Sequence, residues 1–241
     1  MRVHLKTQNV IRNMNILSID TAGLRLHETS VTIKTEKGTF TKCYTFAMRQ
    51  QEEVLLLMID SLVREAGISK QDIHVVLVAE GPGSFTGLRI AYSTAKALAL
   101  AINATLVPIP TLACLQHTML PYDGELLVAI DAKRDAVYGQ VFCNSQPISE
   151  PFDKPLIDCV SNMRSHIVCL YAGDTKKLKE KDKKGDLTNL TREKKMILIE
   201  YTAVFSIDML AFFLAYQKNI VLKSVDDYVA PMYIRKSDAE Q

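Results

Sequence analysis

The sequence predicts two related α/β lobes, each a mixed sheet with flanking helices. Three observations carry that prediction. Asn15–Ile19 is a short apolar run that ends in Asp20-Thr21-Ala22, turns, and continues into the β-rich Thr29–Lys34. Leu126–Ile130 repeats the pattern, ending in Asp131-Ala132-Lys133 before the strand-like Ala136–Phe142. Each half then contains a second apolar run, His74–Gly81 (HVVLVAEG) and His166–Gly173 (HIVCLYAG). Two echoes in the same order indicate an internal duplication, and strands alternating with helical stretches give layered α/β lobes. The expected lobes are 14–110 and 111–241.

The elements follow in chain order. Residues 1–13 are polar and basic, without the apolar core of a signal peptide, and Met14 stands just before the first good strand. Met14 is therefore read as the natural start, with 1–13 an extension that is not native. Asn15–Ile19, Thr29–Lys34 and a strand near Thr39–Phe46 form an antiparallel meander. Gln50–Ala66 has helical length and periodicity. Ile73–Ala79 is a continuous apolar run, the mark of a buried strand. Leu88–Asn103 is a helix, and Thr105–Pro108 a short strand. In the second half Tyr201–Gln217 supplies a closing amphipathic helix. Before it, 176–195 is crowded with Lys and acids. Its ordinary reading is a solvated loop with weak helix; the alternative is a basic surface that touches RNA phosphates.

Composition narrows the function. The 241 residues hold Lys+Arg 29 against Asp+Glu 27, a net charge of +2, which makes no general electrostatic case for nucleic acid. Trp is absent, so aromatic platforms for single strands are not expected. Cys43, Cys114, Cys143, Cys159 and Cys169 form no CxxC and are read as reduced core residues of a cytoplasmic protein. The uncharged stretch Ala97–Tyr122 contains Asn103, Pro108 and Pro110, and reads as helix, strand and helix rather than a membrane span. The five histidines are isolated, with no HxxxH or HExxH, so no helical two-His metal site is expected. His74, opening a buried strand, is read as packed.

The most specific local feature is Gly81-Pro82-Gly83-Ser84-Phe85-Thr86-Gly87-Leu88-Arg89, which joins a strand to a helix. It lacks the Gly-Lys-Ser/Thr of a Walker loop, and its third Gly falls one residue late for a dinucleotide fingerprint. Gly81, Gly83, Ser84 and Gly87 therefore read as a structural turn at least as well as a phosphate cradle. Asp20 and Asp131 each end a first strand. In a duplicated nucleotide-binding fold such positions face metal and phosphates, so these two are the candidate cofactor-binding residues. The bland reading, an Asp that satisfies its own turn, is preferred because only one hydroxyl and one Gly follow Asp20 closely. Val54–Ile59 is six apolar residues in succession, which on a helix covers every face and calls for burial on all sides. The Ala-rich helix Leu88–Ile102 has the same character. Deeper burial within the fold and a helical interface with a partner both answer that need; for the interface, Leu55, Met58, Ile59, Leu62, Ala91, Ala95 and Leu98 are the candidate residues.

The segments MNILSIDTA, GPGSFTGLRIAYSTAKALA, AIDAKRDAVY and APMYIR, in this order over roughly 14–235, resemble the TsaB (YeaZ) family. The resemblance implies the fold of actin, sugar kinases and Hsp70. It also implies a non-catalytic scaffold or dimerisation subunit for threonylcarbamoyl transfer to the adenosine next to the anticodon of tRNAs reading ANN codons. The catalytic subunit TsaD would be the heterodimer partner, bound through the two helices of the first lobe. TsaE would join at their junction, and the chain alone would form a homodimer through the same surface. No catalytic residue, metal or cofactor of its own is then expected; ATP and metal would belong to partner subunits. TsaD carries its metal histidines on the helix that here begins Met48-Arg49-Gln50-Gln51-Glu52, and the His-Ser usual in TsaB there is replaced by Gln50-Gln51. Reaching tRNA through the complex, with Arg235 and Lys236 as candidate contacts, completes the expectation. The rival reading is a nucleotide-dependent transferase or kinase of the same superfamily, which would need Asp20 and Asp131 at a bound nucleotide. A peptidase is least compatible, since no nucleophile motif accompanies the missing metal ligands.

Overall fold

A computed structural model describes residues 13–22, 24, 28–45, 51–164, 166–216 and 230–234. Two compact units emerge. The first holds β1 (Asn15–Asp20), β2 (Glu28–Thr35), β3 (Gly38–Thr45), β4 (Ile73–Gly81) and β5 (Thr105–Pro110) in the sheet order β3-β2-β1-β4-β5. The first three strands form the antiparallel meander, with β1 Leu17 opposite β2 Ile33. β4 then adds parallel to β1 and β5 parallel to β4. Parallel addition requires crossovers, and α1 (Gln51–Ala66) and α2 (Phe85–Ile102) supply them. Strand alternation sends Leu17, Ile19, Val76 and Val78 to the face these helices cover, where they pack with Leu55, Ile59, Leu62, Ala91 and Ala95.

The second unit repeats the plan. β6 (Glu125–Asp131), β7 (Val137–Cys143), β8 (Gln146–Pro147), β10 (Val168–Ala172) and β11 (Ile197–Glu200) stand in the order β11-β10-β6-β7-β8, with β9 (Phe152–Lys154) also paired to β7. The directions match as well: β6–β7 and β7–β8 are antiparallel, β6–β10 and β10–β11 parallel. The duplication read from two short echoes thus extends to a complete sheet order. Here α4 (Leu156–Ser161) occupies the place of α1. The slot of α2 is filled by two short helices, α5 (Thr175–Lys181) and α6 (Asp186–Glu193), so the Lys-rich segment is a helical hairpin rather than a loop. Leu178, Leu187 and Leu190 fix the hairpin on a core of Leu127, Ala129, Val160 and Cys169.

The helix after each fifth strand belongs to the unit whose sheet it packs on, and not to the unit of the strand it follows. α3 (Thr111–His117) follows β5 but packs on β6 and β7, while α7 (Phe205–Tyr216) follows β11 but packs on β1, β2 and β4. Residues 204–216 and 230–232 therefore group with the first unit, which corrects their assignment to a lobe spanning 111–241. Chain order suggested the wrong sheet, because nothing in a helix pattern states which apolar face will cover it. Phe205 and Phe213 of α7 are fully buried, and Ser206 Oγ lies 2.8 Å from Thr32 Oγ1 on β2. His74 is a second correction: it is exposed, and its Nδ1 accepts a hydrogen bond from the Asn15 N–H at 3.1 Å. Among the described residues no helix is long and apolar enough to cross a membrane. Residues 1–12, Gln50, Arg235 and Lys236 lie outside the described residues, as do the side-chain contacts of Gln51.

Candidate functional site

The glycine turn is built against the end of β1. Ser84 caps α2, its hydroxyl accepting from the Gly87 N–H at 3.3 Å, and the Ser84 N–H donates to the Ala22 carbonyl at 2.8 Å. Thr21 Oγ1 donates to the Gly87 carbonyl at 2.5 Å. A Cβ placed on Gly87 would lie 1.8 Å from the Thr21 carbonyl oxygen, and one on Gly83 would lie 3.1 Å from Ala22 Cβ. Gly81 has φ +112°, and a Cβ there would stand 2.6 Å from the Met232 carbonyl oxygen. Each glycine thus faces protein rather than an open cradle. Phe85 is half-buried, with the Arg89 guanidinium 3.9 Å over its ring. The same segment that could be taken for a phosphate loop therefore fastens α2 to the Asp20-Thr21-Ala22 turn.

The two aspartates differ in environment. Asp20 is buried, and one carboxylate oxygen accepts from the Ala22 N–H at 2.7 Å. Burial pushes its carboxyl up to about 7; the Ala22 N–H opposes that rise and the Glu28 carboxylate adds to it. Asp131 is exposed and accepts from the Lys133 N–H at 2.9 Å. In both units the aspartate closes the turn after the first strand, as an Asx turn does. Among the described residues no group of three His, Cys, Asp or Glu side chains is arranged to hold a metal ion.

The helix pair offers a different surface from the one expected. Leu55, Met58, Ile59, Leu62, Ala91 and Ala95 are at most 6% exposed and belong to the core, and Leu98 is half-buried against it. These positions follow the i, i+3, i+4, i+7 stripe that a helix gives to its own sheet. The six core residues are closed to a partner, which corrects their choice as contacts; Leu98 keeps a partly exposed side chain. The large apolar side chains left outside are Leu56 at 57% and Leu57 at 65% exposure, from the run, and Leu100 of α2 at 55%. Subtracting the stripe from the six-residue run would have found Leu56 and Leu57 in the sequence. Beside them lies an open groove of about 640 Å³, lined by Glu52, Leu56, Arg89, Ile90 and Tyr92, with Pro231 at its edge.

A model of the family TsaD, tRNA N6-adenosine threonylcarbamoyltransferase, matches residues 45–239. The "tRNA threonylcarbamoyladenosine biosynthesis protein TsaB" of Bacillus subtilis (strain 168) is 29% identical over 125 residues, 52% of this chain and 53% of that protein. Its namesake from Escherichia coli (strain K12) is 32% identical over 127 residues, again 52% and 53% of the two chains. The chain spans about half the length of the curated relatives it matches. Among solved structures, YeaZ from Pseudomonas aeruginosa superposes with TM-score 0.64 at 18% identity, over 91% of this chain and 99% of that one. An uncharacterized protein with similarity to peptidase YEAZ from the same organism gives TM-score 0.66 at 18% identity, over 92% and 100%. At that identity the superpositions speak for the fold alone, two α/β units with the same sheet order. The long family match and the repeated sheet order agree with the TsaB relatives, and the chain belongs to the TsaD family, tRNA N6-adenosine threonylcarbamoyltransferase.

Proposed function

We propose that this chain is a non-catalytic subunit in the biosynthesis of threonylcarbamoyladenosine on tRNA, and that it binds the catalytic TsaD subunit through the outer face of α1 and α2. The observation that carries the reading is the exposure of Leu56, Leu57 and Leu100 on helices whose inner faces already fill the core. Apolar area of this kind is stabilised by a partner, at roughly 1.5–3 kcal/mol for each large side chain fully covered. In this reading the same face pairs two copies of the chain when TsaD is absent, and TsaE joins at the junction with TsaD. ATP and metal are held by those partners, and tRNA is reached through the complex. Asp20 and Asp131 hold turns rather than a nucleotide.

The test is molar mass by light scattering, for the chain alone and mixed with TsaD of the same organism. The expected result is a homodimer that exchanges into a one-to-one heterodimer. Leu57→Glu should leave the chain folded, since the position is exposed, and weaken either association by about 10–100-fold, the equivalent of one buried leucine. A monomer indifferent to TsaD, together with heat of Mg-ATP binding that Asp20→Asn abolishes, would replace this reading with a nucleotide-dependent transferase or kinase.

A further inference from the structure

We infer that the α5–α6 hairpin is an RNA-phosphate contact surface of this chain; the inference deepens the tRNA reading above and rests on it. Residues 176–195 carry nine Lys or Arg against four Asp or Glu, a net +5, whereas the whole chain has only +2 and the remainder is therefore negative. The positive charge is concentrated on one element of the second unit. In the first unit the corresponding slot between the fourth and fifth strands holds the long apolar α2. Here it holds two short helices with Lys183 and Lys184 in the turn between them.

Three carboxylates at or beside the hairpin are engaged locally. Asp174 caps α5, accepting from the Lys176 N–H at 2.9 Å and the Lys177 N–H at 3.2 Å. Asp182 accepts from the Leu187 N–H at 3.1 Å and the Thr188 N–H at 2.8 Å at the start of α6. Asp135 pairs with Lys181 at 2.9 Å. Lys177 sits 3.9 Å from the Asp174 carboxylate, and the Lys194 ammonium donates to the Met163 carbonyl at 2.9 Å. Lys176, Lys179, Lys183 and Lys184 are exposed and make no ion pair or side-chain hydrogen bond among the described residues. Leu178, Leu187 and Leu190 anchor the hairpin from beneath, so these ammonium groups stand on a fixed support. Mobile point charges on a fixed support suit a phosphate backbone, which they read by charge and not by sequence.

The affinity of such a surface is salt-dependent in a countable way. Each lost phosphate contact lowers the slope of log K against log salt by about 0.7–0.9, so four lost contacts lower it by about 3. The experiment measures binding of a fluorescent tRNA transcript to the full chain by anisotropy between 50 and 200 mM KCl. Wild type is compared with Lys176→Gln/Lys179→Gln/Lys183→Gln/Lys184→Gln. All four lysines are exposed, and circular dichroism checks that the variant folds. The expected result is a slope about 3 units shallower and, at the lowest salt, an affinity reduced by about 100-fold or more. An unchanged slope in the folded variant overturns the inference, as does a defect confined to vesicles of phosphatidylserine and phosphatidylcholine while tRNA binding is retained. Heterodimer formation with TsaD, followed on the same variant, is expected to be intact. A variant that still pairs with TsaD and binds tRNA like wild type would sink the hairpin surface but leave the subunit reading standing. A wild type that ignores TsaD would sink the subunit reading and not the anisotropy result.

Discussion

Replacing Gly87 with alanine should be the most damaging single-methyl addition in the first unit. The new Cβ would begin 1.8 Å from the Thr21 carbonyl oxygen and 2.9 Å from its carbon. A relaxed carbon–oxygen contact needs roughly 3.3 Å, so α2 and the Asp20-Thr21-Ala22 turn must separate by roughly 1.5 Å. That separation breaks the Thr21 hydroxyl bond to Gly87 and the Ser84 N–H bond to Ala22. Two hydrogen bonds contribute about 1–3 kcal/mol together, and overpacking adds about 1–3 kcal/mol. The expected cost is about 3–5 kcal/mol, a large share of the stability of an ordinary domain. In a urea titration followed by circular dichroism, a slope near 2 kcal/mol per molar converts this to a midpoint lower by about 2 M. Gly83→Ala is the internal control. Its Cβ would meet Ala22 at 3.1 and 3.2 Å, contacts relieved by a shift of a few tenths of an ångström, and its midpoint should fall far less. A Gly87→Ala protein that unfolds with the wild-type midpoint would refute the view that this glycine is fixed by backbone approach.

Three further outcomes follow from the same geometry. Phe213→Ala removes a fully buried ring from α7 and should cost about 3–5 kcal/mol; hydrogen exchange should quicken in β1, β2 and β4, and faster exchange in β6 and β10 instead would contradict the packing of α7. Asp20 titrates at about 7 in the folded chain, above its unfolded value near 4, so the unfolded state binds fewer protons between those pH values. Stability from this group is therefore fully present below pH 4 and lost as pH rises to about 7. Asp20→Asn should flatten that decline, and urea midpoints at pH 4.5, 6 and 8 that fall in parallel for both proteins would refute it. Cys43 is exposed whereas burial raises the thiols of Cys159 and Cys169, the former to about 11. Maleimide should label Cys43 within minutes at pH 7.5 and reach Cys169 only after unfolding, which peptide mass mapping would check.

Much of the fold was legible because the strands carry their own signals. Ile73–Gly81 reads as a buried strand from its unbroken apolar run, and the Asp-closed turns after β1 and β6 mark the same point of a repeated unit. The edge strand β11 escaped notice: Ile197 is 61% exposed, and a four-residue strand beside a lysine cluster has no periodicity to show. The destination of α7 escaped for another reason. Its residues are apolar nearly all round, which announces burial without naming the sheet that provides it. Thr32 and Ser206, which meet at 2.8 Å beneath α7, are 174 positions apart and carry no local trace of their pairing.

The candidate surfaces show a similar division between what a fold dictates and what it leaves free. Inward positions of α1 and α2 are dictated, because Leu55, Ile59, Ala91 and Ala95 must fill the space above β1 and β4. An apolar stripe at helical spacing therefore reports on the core, and reading it as an interface took core positions for surface ones. Outward positions are not needed by the fold, so their chemistry reports on something else. The duplication sharpens that inference by supplying the same slot twice. Between the fourth and fifth strands of one unit the outer face carries Leu100, and in the other it carries Lys176, Lys179, Lys183 and Lys184. Two copies of one scaffold, with cores of like kind and surfaces of opposite kind, are what a chain needs to meet a protein with one half and a polyanion with the other.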